Sequence, residues 1–440
     1  MRTLDKSRKS PNQANPDSDS LSSKSSNQAN PDAYTRTPKL RFKGFDDEVQ
    51  ISKLNDLALK IMVGIASAAT HAYATDGVPM LRNQNIKEGG LDDSDILYIN
   101  KEYEKSHKNK RLKKGDILTV RTGYPGLSCL VPENHEGSQC FTSLIIRPDP
   151  CKIFSPWLVQ YINSPKGKKR MLIFEAGGAQ KNINVGSLEN LPVPIISLHE
   201  QQKIASFLSA VDEKIQQLTR KKEALERYKK GVMQQLFSGK LRFKDENGKA
   251  FPKWEEKTLF DISENVSYGM NAPAKEFDGI HKYIRITDID VESGKFNPNP
   301  ITSPDAQIDE KFRLKEDDIV FARTGASVGK SYLYNSNDGQ LYFAGFLIKF
   351  SIVNANSFFV YLLTLREEYY KWVHIYSMRS GQPGLNAEEY KALRFKLPSL
   401  PEQQRIASYI SGIDTKLERI SSQINETRMF KKGLLQQMFA

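Results

Sequence analysis

The stretch EQQKIASFLSAVDEKI, which begins at Glu200, returns as EQQRIASYISGIDTKL, which begins at Glu402. Each copy opens a run in which apolar residues recur at spacings of three and four, the pattern of a helix with one apolar stripe. In the first copy this pattern predicts a helix from Leu198 to Phe237, a stretch without proline. Ser197 and Ser399, each three residues before the glutamate, predict a capping box at both helix starts.

The apolar stripes predict that the two helices pack on each other as a coiled coil, since Lys, Glu and Gln occupy the other faces. Lys229 and Lys431 interrupt the stripes. If the copies are related by a pseudo-twofold axis, the helices run antiparallel. The alternative is an ordinary pair of helices inside one bundle core. The predicted seam residues are Ile204, Leu208, Val211, Ile215, Leu218 and Leu225 in the first helix and Ile406, Ile410, Ile413, Leu417, Ile420 and Ile424 in the second.

The repeat extends beyond the helices. At the same offset of 202 residues, GDILTVRTG from Gly115 matches DDIVFARTG from Asp317. LRFK opens the two copies at Leu40 and Leu241. The segments between these motifs share few positions and differ in length. The duplication therefore predicts two tandem domains with one scaffold and divergent surfaces, each followed by a conserved helix.

Five segments are expected along the chain. They are a disordered tail (1–38), a first variable domain (39–192), a first conserved helix (193–240), a second variable domain (241–394) and a second conserved helix (395–440). The tail is rich in Ser, Asn, Asp and Pro and contains too little apolar surface to offset the entropy of ordering. Runs such as GDILTV and QLYFAGFLIKF predict strands, and SPWLVQYINS predicts a helix between strands. The fold class of the variable domains is therefore α/β or mixed α+β, which periodicity does not distinguish.

The charge balance favours a polyanionic partner, although many basic proteins bind none. Lys and Arg number 64 against 52 Asp and Glu, a net charge of +12. The runs KNKRLKK from Lys108 and PKGKKR from Pro165 are either phosphate contacts or solvated faces. Three cysteines without a CxxC pair, and no apolar segment of membrane length, predict a cytoplasmic protein without a membrane partner.

The sequence predicts neither catalytic residues nor a metal site. RTGASVGKS, from Arg323, resembles a phosphate-binding P-loop, but only three residues separate Gly325 from Gly329 where the motif has four. The following SYLYN has a strand pattern, whereas a P-loop opens a helix. The six histidines show no i, i+4 pair. The alternatives to a DNA-binding role are a self-sufficient DNA-acting enzyme, such as a nuclease, and a purely structural coiled-coil protein.

The ordered motifs D-I-hydrophobic-x-x-R-T-G, a Gly/Gln/Asn loop, E-Q-Q-K/R-I-A and K-K-G-x-x-Q-Q-hydrophobic-F occur twice within residues 39–440. This set resembles the specificity (S) subunits of type I DNA restriction–modification enzymes. The resemblance implies two target recognition domains, each reading one half of a bipartite, asymmetric site in double-stranded DNA. It implies a noncatalytic adaptor without a cofactor of its own. Its partners would be two modification (methyltransferase) subunits that carry S-adenosylmethionine, together with restriction/translocase subunits.

The resemblance also places the shared loops near DNA. Residues that both domains share are more often framework or phosphate contacts than base readers, so base readers are expected among the unshared residues. The expected DNA-contacting residues are Arg121, Thr122, Gly123, Tyr124, Gln180, Lys181 and Asn182 in the first domain and Arg323, Thr324, Gly325, Ser327, Lys330, Arg379 and Gln382 in the second.

Overall fold

The computed structural model describes residues 38–67, 69–173, 182–291 and 293–439. The predicted disordered tail lies outside these residues except for residue 38. The chain divides into two compact units, unit 1 with residues 1–213 and 427–440 and unit 2 with residues 214–426. The division falls within both long helices, so each unit contains one variable domain and a segment of each helix.

Unit 1 is a mixed α/β domain around an antiparallel sheet of order β2-β11-β8-β9. A second sheet, β10-β4-β7-β3, contains one parallel pair, β10 with β4, and two ribbons pair β1 with β12 and β5 with β6. The strands are β1 (Gln50–Lys53), β2 (Ala58–Val63), β3 (Tyr73–Ala74), β4 (Val78–Leu81), β5 (Ile86–Lys87), β6 (Gly90–Leu91), β7 (Leu97–Ile99), β8 (Ile117–Thr119), β9 (Ser128–Leu130), β10 (Gln139–Cys140), β11 (Leu144–Pro148) and β12 (Pro192–Ile195). The helices are α1 (Leu54–Leu57), α2 (Lys101–Lys105), α3 (Ser155–Asn163), α4 (Pro165–Leu172), α5 (Val185–Glu189) and the first part of α6 (Leu198–Phe237).

Unit 2 repeats this plan around an antiparallel sheet of order β14-β21-β18-β19. Two-stranded sheets pair β13 with β22, β15 with β17 and, in parallel, β16 with β20. The strands are β13 (Glu255–Thr258), β14 (Ser263–Tyr268), β15 (Ala274–Glu276), β16 (Lys282–Ile284), β17 (Thr302–Pro304), β18 (Asp318–Ala322), β19 (Ser331–Leu333), β20 (Leu341–Phe343), β21 (Leu347–Ile352) and β22 (Arg394–Leu397). The helices are α7 (Ser357–Thr364), α8 (Glu367–Tyr376), α9 (Ala387–Lys391) and α10 (Leu400–Met438), the last of which ends in unit 1.

The inner strands β8 and β18 are buried on both faces, which explains their nearly continuous apolar sequences. In unit 1, Ile117 belongs to the core that contains α3, whereas Leu118 belongs to a separate core on the other face of the sheet. In unit 2, Phe321 and Val320 divide between two cores in the same way. The strand predicted in GDILTV is thereby confirmed, its counterpart DDIVFA forms β18, and the variable domains are mixed α/β.

Two runs of unit 2 that look continuous in the sequence are each divided in the structure. QLYFAGFLIKF forms β20 and β21, separated by a turn at residues 344–346. The helical run from Ser357 forms α7 and α8, because Arg366 between them has an extended backbone.

The helix predicted over Leu198–Phe237 is confirmed as α6, and α10 is its counterpart. In unit 1, Leu208 near the start of α6 shares a core with Leu434 near the end of α10. In unit 2, Leu218 packs with Ile424. Each unit thus pairs segments of the two helices that run in opposite directions. Of the other predicted seam residues, Ile204, Ile406, Ile410, Ile413 and Ile420 are buried and Val211, Ile215, Leu225 and Leu417 are half-buried.

The lysines that interrupt the apolar stripes are paired across the helices. In unit 1, Lys431 Nζ lies 2.7 Å from Asp212 Oδ1, and in unit 2, Lys229 Nζ lies 2.6 Å from Asp414 Oδ1. The two aspartates are equivalent in the repeat, and so are the two lysines. The same ion pair therefore occurs in both units with the roles of the two helices exchanged.

The repeated glutamates at the helix starts bind the arginines of the repeated LRFK motifs. Arg41 donates from Nε and Nη2 to the two carboxylate oxygens of Glu200, at 2.9 and 2.6 Å. Arg242 does the same to Glu402, at 3.0 and 2.7 Å. Both carboxylates are buried. These bidentate ion pairs therefore join the beginning of each domain to its helix.

The reciprocal capping boxes predicted at the two helix starts do not form, because the Glu200 and Glu402 carboxylates bind arginines. Ser197 Oγ accepts from the Glu200 amide at 3.3 Å, but the Glu200 carboxylate binds Arg41 instead of the serine backbone. At the second start, Ser399 Oγ is buried and has no hydrogen-bond partner among the described residues.

The first glutamine of each EQQ motif fastens the helix to its domain. Gln201 accepts at Oε1 from the Phe154 amide and donates from Nε2 to the Ile196 carbonyl, both at 2.8 Å. Gln403 makes the equivalent bonds to Asn356, at 2.9 Å, and to Pro398, at 2.8 Å.

Candidate nucleic-acid interface

In unit 2 the shared loops meet directly after β18. Thr324 forms an isolated antiparallel bridge with Gly384. Leu385 donates its amide to the Arg323 carbonyl at 2.8 Å. The Gly325 amide donates to the Pro383 carbonyl at 2.9 Å. The Arg-Thr-Gly loop and the loop that contains Gln382 are therefore one structural junction.

Unit 1 builds the same junction after β8. Thr122 forms an isolated bridge with Asn182, and the Ile183 amide donates to the Arg121 carbonyl at 3.2 Å. Asn83 Nδ2 donates to Thr122 Oγ1 at 3.4 Å. Gln180 and Lys181, which were predicted to contact DNA, lie outside the described residues.

An asparagine that occurs in both copies follows each junction in the chain and caps a short helix. Asn184 Oδ1 accepts from the Ser187 amide at 2.8 Å and caps α5. Asn386 caps α9 in the same way, accepting from the Glu389 amide at 2.9 Å. A short helix thus fixes the chain directly after each junction.

The shared arginine of unit 2 is positioned by an aromatic ring. Arg323 Cζ lies 4.8 Å from the centre of the Tyr268 ring, a cation–π contact. Its amide donates to the Phe346 carbonyl at 3.0 Å. Its buried Nε has no hydrogen-bond partner among the described residues. Side chain and backbone of Arg323 are therefore held at the edge of the junction.

Gly325 meets two requirements that explain its place in the motif. Its φ of +68° lies in the left-handed region, and a Cβ there would come within 2.6 Å of Gln382 Nε2. In unit 1, Gly123 has a φ of +90°. Both loops therefore need glycine to leave the strand and turn.

Several predicted contact residues of unit 2 are engaged within the protein. Lys330 Nζ donates to the Ile289 carbonyl at 3.2 Å. Arg379 pairs with Glu389 and donates to the Met378 carbonyl at 3.0 Å. Ser327 ends the short 3₁₀ turn that follows Thr324 and is half-buried. Of the predicted set in unit 2, Arg379 and Gln382 have exposed side chains, and of these two Arg379 is paired with Glu389.

The basic run from Lys108 is also partly engaged. Lys110 donates to the Gly64 carbonyl at 2.8 Å, Arg111 pairs with Glu104 at 2.6 Å, and Lys114 pairs with Glu133 at 2.7 Å. These contacts fold the run onto unit 1, so its charge is only in part available to phosphates.

Exposed aromatic and methionine side chains lie in or next to the junction loops. Tyr124 follows the Arg-Thr-Gly motif in unit 1, and Phe346, Tyr376 and Met378 lie in segments bonded to the junction of unit 2. Tyr124 belongs to the set predicted from the sequence, whereas Phe346 does not, because QLYFAGFLIKF has the pattern of one continuous strand. The Gly345 that interrupts this run was the available signal of a turn.

The described part of the chain contains no group of three or more His, Cys, Asp or Glu residues arranged to hold a metal ion. After the P-loop-like RTGASVGKS the chain continues into β19 and not into a helix. No helix within the described ranges has the length and apolar character needed to cross a membrane.

Comparisons with known proteins agree with the duplication. The model of the type I restriction modification DNA specificity domain matches residues 46–227 and again residues 252–427. The chain is 23% identical over 384 residues to the type I restriction enzyme StySPI specificity subunit of Salmonella potsdam, covering 83% of this chain and 81% of that protein. It is 22% identical over 382 residues to the EcoKI specificity subunit of Escherichia coli strain K12, with the same coverage.

The fold is similar to a crystal structure of the type I restriction-modification S subunit from M. genitalium. The TM-score is 0.58 at 18% identity, over 92% of this chain and 99% of that chain. The similarity extends over most of this chain.

Proposed function

We propose that this chain, which belongs to the type I restriction modification DNA specificity family, is the subunit that selects the DNA sequence on which a type I restriction–modification enzyme acts. Unit 1 and unit 2 would each provide one target recognition domain. Each domain would read one half of a bipartite, asymmetric site in double-stranded DNA. The chain itself would carry out no catalysis.

One observation carries this proposal: the same backbone junction is built twice, with different residues around it. Arg121 and Arg323 begin the junction loops directly after the inner strands, and the bridges to Asn182 and Gly384 close them. A shared frame with divergent side chains is expected of two domains that bind one kind of ligand, DNA, and read different sequences on it.

The helices have a separate proposed role. We propose that α6 and α10 form an antiparallel coiled coil with pseudo-twofold symmetry, because the Asp212–Lys431 and Lys229–Asp414 pairs exchange helices between the two units. At 1.5 Å per residue each helix is about 60 Å long. This coiled coil would set the spacer between the half-sites.

Two modification subunits would dock on the repeated helix surfaces, since each surface occurs twice. These partners would supply S-adenosylmethionine and methylate adenine, and restriction/translocase subunits would complete the enzyme. This chain would contribute the DNA sequence and the geometry of assembly.

The test is methylation of host DNA with and without this gene. Long-read sequencing of a host that expresses the modification partner is expected to detect methylated adenine at one split motif when the chain is present. Deletion of the chain should abolish that motif. Methylation that persists unchanged after deletion would refute the proposal. Purified chain that cuts plasmid DNA with magnesium alone would favour a self-sufficient nuclease instead.

The spacer role has its own test. Four residues inserted near Lys222, together with four at the facing position of α10, lengthen the coiled coil by about 6 Å, which corresponds to nearly two base pairs. The sequenced motif is then expected to keep both half-sites and to gain spacer bases. A motif that keeps its original spacer length would contradict the proposal that the coiled coil sets the spacer.

A further inference from the structure

We propose that Tyr124 and Phe346 read DNA sequence by apolar contact with thymine methyl groups in the major groove, Tyr124 for one half-site and Phe346 for the other. This inference rests on the proposed function, because it assigns two residues to its DNA-reading step. Within each domain the aromatic ring would act beside the shared arginine of the junction.

Both rings are exposed to an extent that the fold does not require. Tyr124 is 83% exposed and Phe346 is 59% exposed. Tyr124 lies between Gly123 and Gly126, which both have a φ of +90°, so the loop turns sharply at either side of the ring. Single exposed apolar side chains are common on protein surfaces, so it is the position of these rings in the junction loops, together with the enrichment of aromatic residues in interfaces, that points to a binding surface.

The backbone that carries each ring is tied to the junction. Tyr124 is three residues from Arg121, whose carbonyl accepts from the Ile183 amide. The Phe346 carbonyl accepts from the Arg323 amide at 3.0 Å. A base-reading group needs a fixed origin, since a displacement of about 1 Å is enough to lose a contact. The junction supplies that origin in both units.

The rings come from different loops in the two units. The residue after Arg-Thr-Gly is Tyr124 in unit 1 but Ala326 in unit 2. The turn that carries Phe346 corresponds to residues 141–143, where the aromatic Phe141 packs partly buried against the core that contains Ile65 and the other two residues are Thr142 and Ser143. Tyr124 and Phe346 therefore lie at different positions of the same frame, as two different half-sites require.

The chemistry selects the thymine methyl as the contact. In the major groove the C5 methyl of thymine is the apolar group that distinguishes its base pair, and it is recognised by apolar side chains. Polar groups near the rings, the hydroxyl of Thr122 and the exposed amide of Gln382, are suited to hydrogen bonds with neighbouring base edges. If each half-site contains the methylated adenine, then it also contains at least one thymine on the opposite strand.

The first test uses the assembled complex with its modification subunits and the variant Tyr124→Ala. Each thymine of the sequenced motif is replaced in turn by deoxyuridine, which lacks only the methyl group, and binding is measured at one salt concentration. One such replacement, in a single half-site, is expected to weaken DNA binding by the complex without the amino-acid substitution by about fivefold or more. The same replacement should leave binding of the Tyr124→Ala complex unchanged, because the contact is already absent.

Phe346→Ala should give the same result for a thymine in the other half-site. The matched controls are Leu59→Ala in unit 1 and Ile280→Ala in unit 2, whose side chains are 64% and 59% exposed and lie in other segments. Both controls should retain the methyl dependence. Unchanged unfolding temperatures of the two test variants would exclude a folding defect.

The outcomes separate this inference from the proposed function. If the complex methylates a split motif but the Tyr124 and Phe346 variants keep every methyl dependence, the inference is wrong and the proposed function stands. An equal loss for all thymines in both half-sites would also overturn it, since one ring cannot contact them all. Absence of any chain-dependent motif in the unmodified complex would instead refute the proposed function itself.

Discussion

The guanidinium of Arg41 and the carboxylate of Glu200 form a bidentate pair across 159 residues of the chain, with hydrogen bonds of 2.9 and 2.6 Å. The pair joins the residue that opens the first domain to the first turn of the helix that follows it. Arg242 and Glu402 repeat the pair in unit 2. The LRFK and EQQ motifs occur together in both copies, and in each copy the arginine of the first binds the glutamate of the second.

The Arg242–Glu402 pair is predicted to stabilise unit 2. Glu402→Gln leaves the arginine beside a neutral amide in a buried position, and the free energy of unfolding should fall by about 2 kcal/mol. Hydrogen exchange of the β18 amides measures this loss within the unit. The control is Glu367→Gln, because the Glu367–Lys371 pair is exposed and should change stability by less than about 0.5 kcal/mol. Equal losses in the two variants would contradict the fastening role.

Charge reversal tests the pairing of the two helices. Lys229→Asp places two carboxylates together beside Asp414 in unit 2 and should destabilise the helix pair by about 1–2 kcal/mol. Asp414→Lys should have a similar effect. The double variant restores opposite charges and is expected to recover most of the loss in a double-mutant cycle of urea unfolding. Losses that simply add would show that the two side chains do not interact.

The repeated sequence predicted the limits of the long helices better than the side chains that bind them to the domains. The limits of α6 followed from the absence of proline and from the apolar spacing, which are local properties. The partner of Glu200 did not, because Arg41 is distant in the chain and a local capping serine was the nearer candidate. The structure brings Gln382 next to Gly325 of the Arg-Thr-Gly loop, although the contact of these residues with DNA stays a prediction. Lys330 bonds inward because tertiary packing decides its direction.

The three cysteines are predicted to differ in reactivity. Burial raises the pKa of Cys129 and of Cys140 to about 12, so both remain protonated thiols at pH 8. Cys151 is exposed. An Ellman assay of the native protein should therefore detect one fast thiol, and two more after denaturation. Cys151→Ser should remove the fast thiol, whereas a second thiol that reacts in the native protein would contradict the buried positions.

Unit 1 is predicted to lose stability in acid through Glu104. Hydrogen bonds from Arg111, at 2.6 Å, and from Gln139, at 3.0 Å, lower the pKa of the Glu104 carboxyl in the folded protein. The unfolded chain, with a glutamate pKa of about 4.3, then binds the proton first as the pH falls. The contribution of Glu104 is therefore complete above about pH 4.3 and disappears as the pH drops through the lowered pKa.

Urea unfolding of unit 1, followed between pH 7 and pH 3, measures this dependence. Glu104→Gln cannot titrate, so it should be less stable than the unmodified protein at pH 7 and should lose less on acidification. Arg111→Gln keeps the carboxylate but removes its main donor, which should raise the pKa of Glu104 in the folded protein toward the unfolded value, so that the acid loss becomes smaller and ends at a higher pH. Parallel curves for the unmodified protein and Glu104→Gln would mean that other carboxylates cause the acid sensitivity of this unit.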